Sequence, residues 1–244
     1  MSLAEIPTVL RQAILRLVLP TAVLYGFMVG LGLLVTRVLN DVWPLTAEDA
    51  VNRRFEAERD GTLNAVSLVF STIASTSAVV AVTALVAIVL ALSGCRWREP
   101  MFLIGAVSAQ ALVFLLTTMA IDRTRPAVEH MDTSPPTSSF PSGHTSASVA
   151  LYCGLALVLA TRARRTPVKV AWWSLLVAVP IGVALTRMYR GMHHPSDVVG
   201  SFVNAGTCLV IMARGVLDRT VRWGRGHVPG RRVTSRRQPS TSAA

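Results

Sequence analysis

Three features of this sequence predict an all-α fold, a bundle of six transmembrane helices. Just over half of the 244 residues (52%) are hydrophobic, and the mean hydropathy is +0.50. The apolar residues lie in long blocks almost free of charge, whereas soluble domains spread theirs in short periods. The segments between the blocks alternate between basic and acidic, as the connections of a multi-span membrane protein do.

A span needs about 20 mostly apolar residues. Residues 17–36 supply the first. No small-residue cleavage site follows closely, so it reads as an anchor and not a cleaved signal. The uncharged run 61–95 is too long for one perpendicular helix. Its span is expected at 71–92, with the start lying along the interface. The remaining blocks are 101–121, 145–161, 170–186 and 198–213. Trp172 and Trp173 stand at one end of the fifth, where an interfacial aromatic belt would put them. Residues 1–213 thus form one membrane domain. Residues 214–244, rich in Arg, Gly, Ser, Thr and Pro, are expected to be a disordered tail.

The distribution of charge matters more than the net +11. The tail holds eight arginines against Asp218. The fourth-to-fifth connection carries Arg162, Arg164, Arg165 and Lys169 with no acid, and the second-to-third carries Arg96 and Arg98 against Glu99. Residues 41–60 instead carry six acids against three arginines. The positive-inside rule then makes both termini cytoplasmic. The first, third and fifth connections are outside, in an integral protein of the plasma (inner) membrane. Nucleic-acid binding is disfavoured, because the basic tail has no aromatic residue besides Trp223. Cys95, Cys153 and Cys208 lie in or beside apolar blocks without C-x-x-C spacing, which speaks against a disulfide framework or a zinc site.

Two of the outer connections carry unusual charge. One holds Asp122-Arg123-Thr124-Arg125-Pro126 and later Pro141-Ser142-Gly143-His144; the other holds Arg187, His193 and Asp197. Ionisable groups at membrane helix ends are costly unless they pair or act. Arginine is suited to bidentate recognition of phosphate oxygens. Ser142-Gly143 begins a helix, where free N–H groups favour an anion and glycine permits close approach. Two histidines supply a nucleophile and an acid near neutral pH. Asp197, four residues after His193, can turn back to orient the imidazole if Pro195 opens the helix. Together these groups describe phosphoryl transfer through a phosphohistidine with no need of a metal or other cofactor.

In order and spacing the three segments resemble the type 2 phosphatidic acid phosphatase family, within the acid phosphatase and vanadium haloperoxidase superfamily. The family pattern is K-x6-R-P, P-S-G-H and S-R-x5-H-x3-D. Here the second segment is complete, the third reads Thr186-Arg187-x5-His193-x3-Asp197, and the first keeps Arg125-Pro126 with Thr118 at the lysine position. The resemblance implies that His193 is the nucleophile, Asp197 orients it and His144 protonates the leaving group. It further implies that Arg125, Arg187, Ser142 and Gly143 hold the phosphoryl oxygens. Arg123 is the candidate to replace the missing lysine. The active site would lie at the outer ends of the helices. A substrate there would be a lipid phosphate, such as a polyprenyl diphosphate, phosphatidic acid or phosphatidylglycerophosphate. The same residues would serve a lipid phosphotransferase or a non-catalytic phospholipid-binding relative. His194 reads as a rim or capping residue, Arg190 as facing solvent or head groups, and Glu129 and Asp132 as solvated loop.

Overall fold

The computed structural model describes residues 6–93, 97–133 and 136–218. The tail beyond residue 218, Cys95 and Arg96 lie outside the described residues. Among the described residues there are helices and no strands. We label the long helices α1 (Pro7–Val38), α2 (Glu48–Ala57), α3 (Gly61–Ile73), α4 (Thr76–Leu92), α5 (Arg98–Ala120), α6 (Gly143–Arg162), α7 (Thr166–Tyr189) and α8 (Pro195–Leu217).

Five helices are long and apolar enough to cross a membrane, and α3 with α4 makes a sixth, bent span. The bend is 53°. It falls where Ser75 leaves helical geometry and its hydroxyl accepts the Ala78 N–H, capping a new helix. The uncharged run is therefore cut at Ala74–Ser75, and its first half packs on α7. Most spans are also longer than the apolar blocks. Their terminal turns are built from the polar motif residues, which a hydropathy window leaves out.

Helices α5, α6 and α8 form the centre. About half of each apolar window is buried (50, 56 and 50%), against 22% for α1 and α7. Phe102, Leu103, Leu151, Ala205 and Cys208 are completely enclosed there, with Met28 of α1 and Phe140 of the loop before α6. Water supplies no driving force between helices in lipid, so packing and interhelical hydrogen bonds hold them. Asn204 of α8 donates to the Gln110 carbonyl of α5 (3.2 Å) and to the Ser146 hydroxyl of α6 (3.5 Å). Large apolar side chains such as Val23, Phe27, Leu85 and Leu175 point outward.

The chain direction brings three connections to one end of the bundle: α1 to α3 with α2 between them, α5 to α6, and α7 to α8. They are bonded to one another. Arg59 donates to the Tyr189 and Glu129 carbonyls, and the Glu56 carboxylate accepts the Glu129 N–H. The basic connections meet at the opposite end, where Arg162 pairs with Glu99 and Arg98 donates to the Val216 carbonyl.

Candidate active site

The segment between α7 and α8 carries His193, and its path is fixed by backbone requirements. Gly191 has φ +73°, and a Cβ there would lie 2.6 Å from the Glu129 carbonyl oxygen, so only glycine fits. Pro195 opens α8, with His194 as N-cap. Asp197, at the third helical position, accepts the His194 N–H at 2.8 Å. His194 is thus a capping residue, as its position in the sequence suggests.

His193 is buried, and its Nδ1 lies 2.8 Å from the Ser139 carbonyl oxygen. A carbonyl only accepts, so Nδ1 carries a proton and the neutral ring keeps its lone pair on Nε2. The nearer Asp197 oxygen is 3.8 Å from Nδ1, close enough for charge attraction but not for a hydrogen bond. Asp197 therefore stands behind the imidazole, and Ser139 is its direct partner. Burial pushes the His193 pKa below the ordinary histidine value. Asp197 opposes this shift, while Arg187 and Arg125 add to it. The ring is neutral, and hence nucleophilic, at neutral pH.

A cavity of about 680 Å³ lies beside it, lined at its polar end by His193, His144, Arg125, Arg187, Gly143 and Asp132. His144 sits on the first turn of α6. Arg187 sits on the last turn of α7, where its Nη1 donates to Ser71 Oγ (2.8 Å) and to Asp132 (2.6 Å). Its buried Nε has no hydrogen-bond partner among the described residues. Arg125 donates to the Met192 carbonyl (2.8 Å). Burial lowers its pKa, and the charge of Asp197 opposes that shift. The rest of the cavity is apolar, running along Leu68, Val79, Val80, Val107 and Leu115 of α3, α4 and α5. Leu68, Val80 and Leu115 are 55, 59 and 51% exposed on the outside of the bundle, so the cavity opens sideways onto its apolar surface.

Two residues expected at the phosphate lie elsewhere. Ser142 is fully buried and does not line the cavity. Its hydroxyl caps α6 at Thr145, while its backbone binds Ser201 of α8 in both directions (2.7 and 2.9 Å). Arg123 turns to the back of Asp197. It donates to Asp197 Oδ1 (2.8 Å), Ser196 Oγ (2.7 Å) and Glu48 Oε2 (2.7 Å), so both terminal nitrogens meet carboxylates. Thr118 also stays away, donating to the Leu115 carbonyl of its own helix at 2.9 Å. Gly143 lines the cavity, yet its missing Cβ is required for another reason as well: it would lie 2.8 Å from the Phe114 ring.

Sequence reasoning missed several residues. Glu48 accepts the Ser196 N–H (2.6 Å), and Asn52, one turn later on α2, donates to the His193 carbonyl (3.1 Å) and the Met188 carbonyl (3.2 Å). The i, i+4 spacing of Glu48 and Asn52 was the one available signal; both are the buried residues of an otherwise polar helix. Asp132 and Arg190, read as solvated, form a two-point pair, with both Asp132 oxygens 3.0 Å from Arg190 Nε. Arg190 is buried and also donates to Ser67 Oγ (3.0 Å).

Known proteins share this architecture. A transmembrane PAP2-type phosphatidylglycerolphosphate phosphatase from Bacillus subtilis superposes with a TM-score of 0.69, covering 84% of this chain and 98% of its own at 18% identity. Aquifex aeolicus LpxE superposes with a TM-score of 0.54, covering 71% of this chain and 98% of its own at 20% identity. No curated protein matches by sequence. The family model of the PAP2 superfamily matches residues 99–220, which is half of the chain and includes every motif described above, and the chain therefore belongs to the PAP2 superfamily.

Proposed function

We propose that this protein is a membrane lipid phosphatase that hydrolyses a terminal phosphate through a phosphohistidine on His193. The observation that carries the reading is the pinned ring: Nδ1 is tied to the Ser139 carbonyl, in a cavity that combines two arginines, a second histidine and an apolar arm. In the first step Nε2 attacks phosphorus as the bond to the leaving oxygen breaks, and protonated His144 gives that oxygen its proton. The positive charge on the phosphorylated ring is stabilised by Asp197. In the second step neutral His144 takes a proton from water, whose oxygen displaces Nε2 and releases phosphate. Arg125, Arg187 and the first N–H groups of α6 hold the phosphoryl oxygens throughout. The orphan Nε of Arg187 is the kind of donor an oxyanion would satisfy.

The sideways, apolar arm supports a lipid substrate of the polyprenyl diphosphate, phosphatidic acid or phosphatidylglycerophosphate class. The neighbour from Bacillus subtilis, named for a lipid phosphate, agrees with that class. Charge asymmetry supports cytoplasmic termini and a site on the non-cytoplasmic side of the plasma (inner) membrane. The proposed chemistry asks for no metal ion, since Arg125 and Arg187 supply the positive charge that the phosphoryl oxygens need.

The test is phosphate release by detergent-purified protein from a panel of lipid phosphates with a chelator present, beside His193→Ala. The proposal expects release from at least one lipid and a loss of at least about 10⁴-fold in the variant. A phosphorylated acceptor in place of free phosphate would make the protein a phosphotransferase. Undiminished turnover in His193→Ala would refute the mechanism.

A further inference from the structure

Asp132 is the only acidic side chain among the described residues that line the cavity, and it stands on the arginine that the proposed reaction needs. Its two oxygens bridge Arg187 and Arg190. Burial alone would raise its pKa, but the hydrogen bonds and charges of Arg190 and Arg187 outweigh that and hold the carboxyl below the usual range. A carboxylate therefore already takes the Nη1 of Arg187.

The three groups are not equally fixed. The arginine side chains are 4 and 6% exposed, and α3 anchors both, through Ser71 and Ser67. The Asp132 side chain is 25% exposed and lies on an irregular connection at the rim of the cavity. The guanidinium groups are built into the bundle, whereas the carboxylate is the partner with access to solvent.

We propose that Asp132 is an internal competitor for the phosphate position: it occupies Arg187 when the site is empty, yields it to the incoming phosphoryl group, and returns as inorganic phosphate leaves. This rests on the reading above, in which Arg187 receives the phosphoryl oxygens. A site whose binding-competent form is only a fraction of the population binds every ligand more weakly by that fraction. The protein gives up some affinity for substrate and in exchange is not held by its own product. Arg190 keeps the displaced carboxylate close, so the exchange is fast and local.

The opposite role is equally concrete. If Asp132 merely holds Arg187 in position for phosphate, removing its charge loosens phosphate binding. The two roles predict changes of opposite sign. The experiment is equilibrium binding of inorganic phosphate to the full chain in detergent, by calorimetry, for wild type, Asp132→Asn, Asp132→Ser and Arg187→Gln. Both Asp132 variants should bind phosphate about tenfold more tightly, and phosphate should raise their melting temperatures more than that of the wild type. Unchanged or weaker binding in both overturns the proposal. Arg187→Gln separates this result from a failure of the underlying reading. If wild type binds no phosphate, or binds it equally well without Arg187, the phosphate assignment itself is wrong. If binding requires Arg187 and is not tightened by the Asp132 changes, only the competitor role falls.

Discussion

The His193 segment has two sides, and their charges are arranged differently. On the cavity side, Arg187 and Arg190 share one carboxylate, Asp132, and Arg125 adds a third cation, which leaves an excess of two positive charges. On the far side, a single arginine, Arg123, is enclosed by two carboxylates, Glu48 and Asp197, which leaves an excess of one negative charge. The front is short of anions, whereas at the back both terminal nitrogens of Arg123 already meet carboxylates. In the proposed reaction the phosphoryl dianion would use the first environment, and the ring that becomes cationic would lie against the second. Of Arg123 and Arg125, two residues apart in an extended segment, only Arg125 reaches the cavity beside His193.

The sharpest way to break this contrast is at the front. Arg187→Lys keeps a charge but loses the planar fork and its bond pattern. We expect kcat/KM to fall by about 10²-fold or more, the scale of a lost donor to transition-state charge. A variant of near wild-type rate would place the phosphate elsewhere.

The next test sets the two neighbouring arginines against each other. Arg125→Gln should weaken inorganic phosphate binding by about tenfold or more, the scale of a lost charged hydrogen bond, with little change in melting temperature. Arg123→Gln should do the reverse. Two buried carboxylates lose their shared cation, at a cost of about 3–5 kcal/mol, and kcat falls while phosphate affinity holds. Glu48→Gln added to Arg123→Gln should restore much of the melting temperature. If Arg123→Gln instead weakened phosphate binding, Arg123 would be a clamp residue after all.

The smallest effect is on pH dependence. The proposed reaction needs a neutral His193, and burial sets its pKa below 6.5. The acidic limb of kcat/KM should therefore lie below pH 6.5. Arg125 helps to depress this pKa, so Arg125→Gln should move the limb upward; Asp197 opposes the depression, so Asp197→Asn should move it downward. Shifts of the opposite sign would mean that the limb reports another group.

The same two sides show how much was legible in the sequence. Six apolar blocks and alternating loop charge specify the bundle, because hydropathy and charge are local properties. The meeting of His193, His144, Arg125 and Arg187 at one cavity was legible through spacing, since each sits on a helix end or a short segment whose register the sequence controls. Arg123 and Ser142 had the right chemistry for phosphate, but their orientation depends on partners far along the chain, Glu48 and Ser201. Asp132 and Arg190 were unreadable for the same reason: a carboxylate in a loop looks solvated until a helix 58 residues away supplies its arginine. The bend at Ser75 was hidden because a hydropathy window does not register a capping serine.

The most direct measurement is to trap the intermediate. Wild-type protein in detergent is mixed with a lipid phosphate that it turns over, quenched in alkali, where phosphohistidine survives, and mapped by mass spectrometry. The account predicts a phosphoryl group on the peptide containing His193, located on that ring and absent from His193→Ala. A phosphoryl group on another residue, or turnover with no phosphorylated peptide under conditions that trap it in other phosphohistidine enzymes, would contradict it.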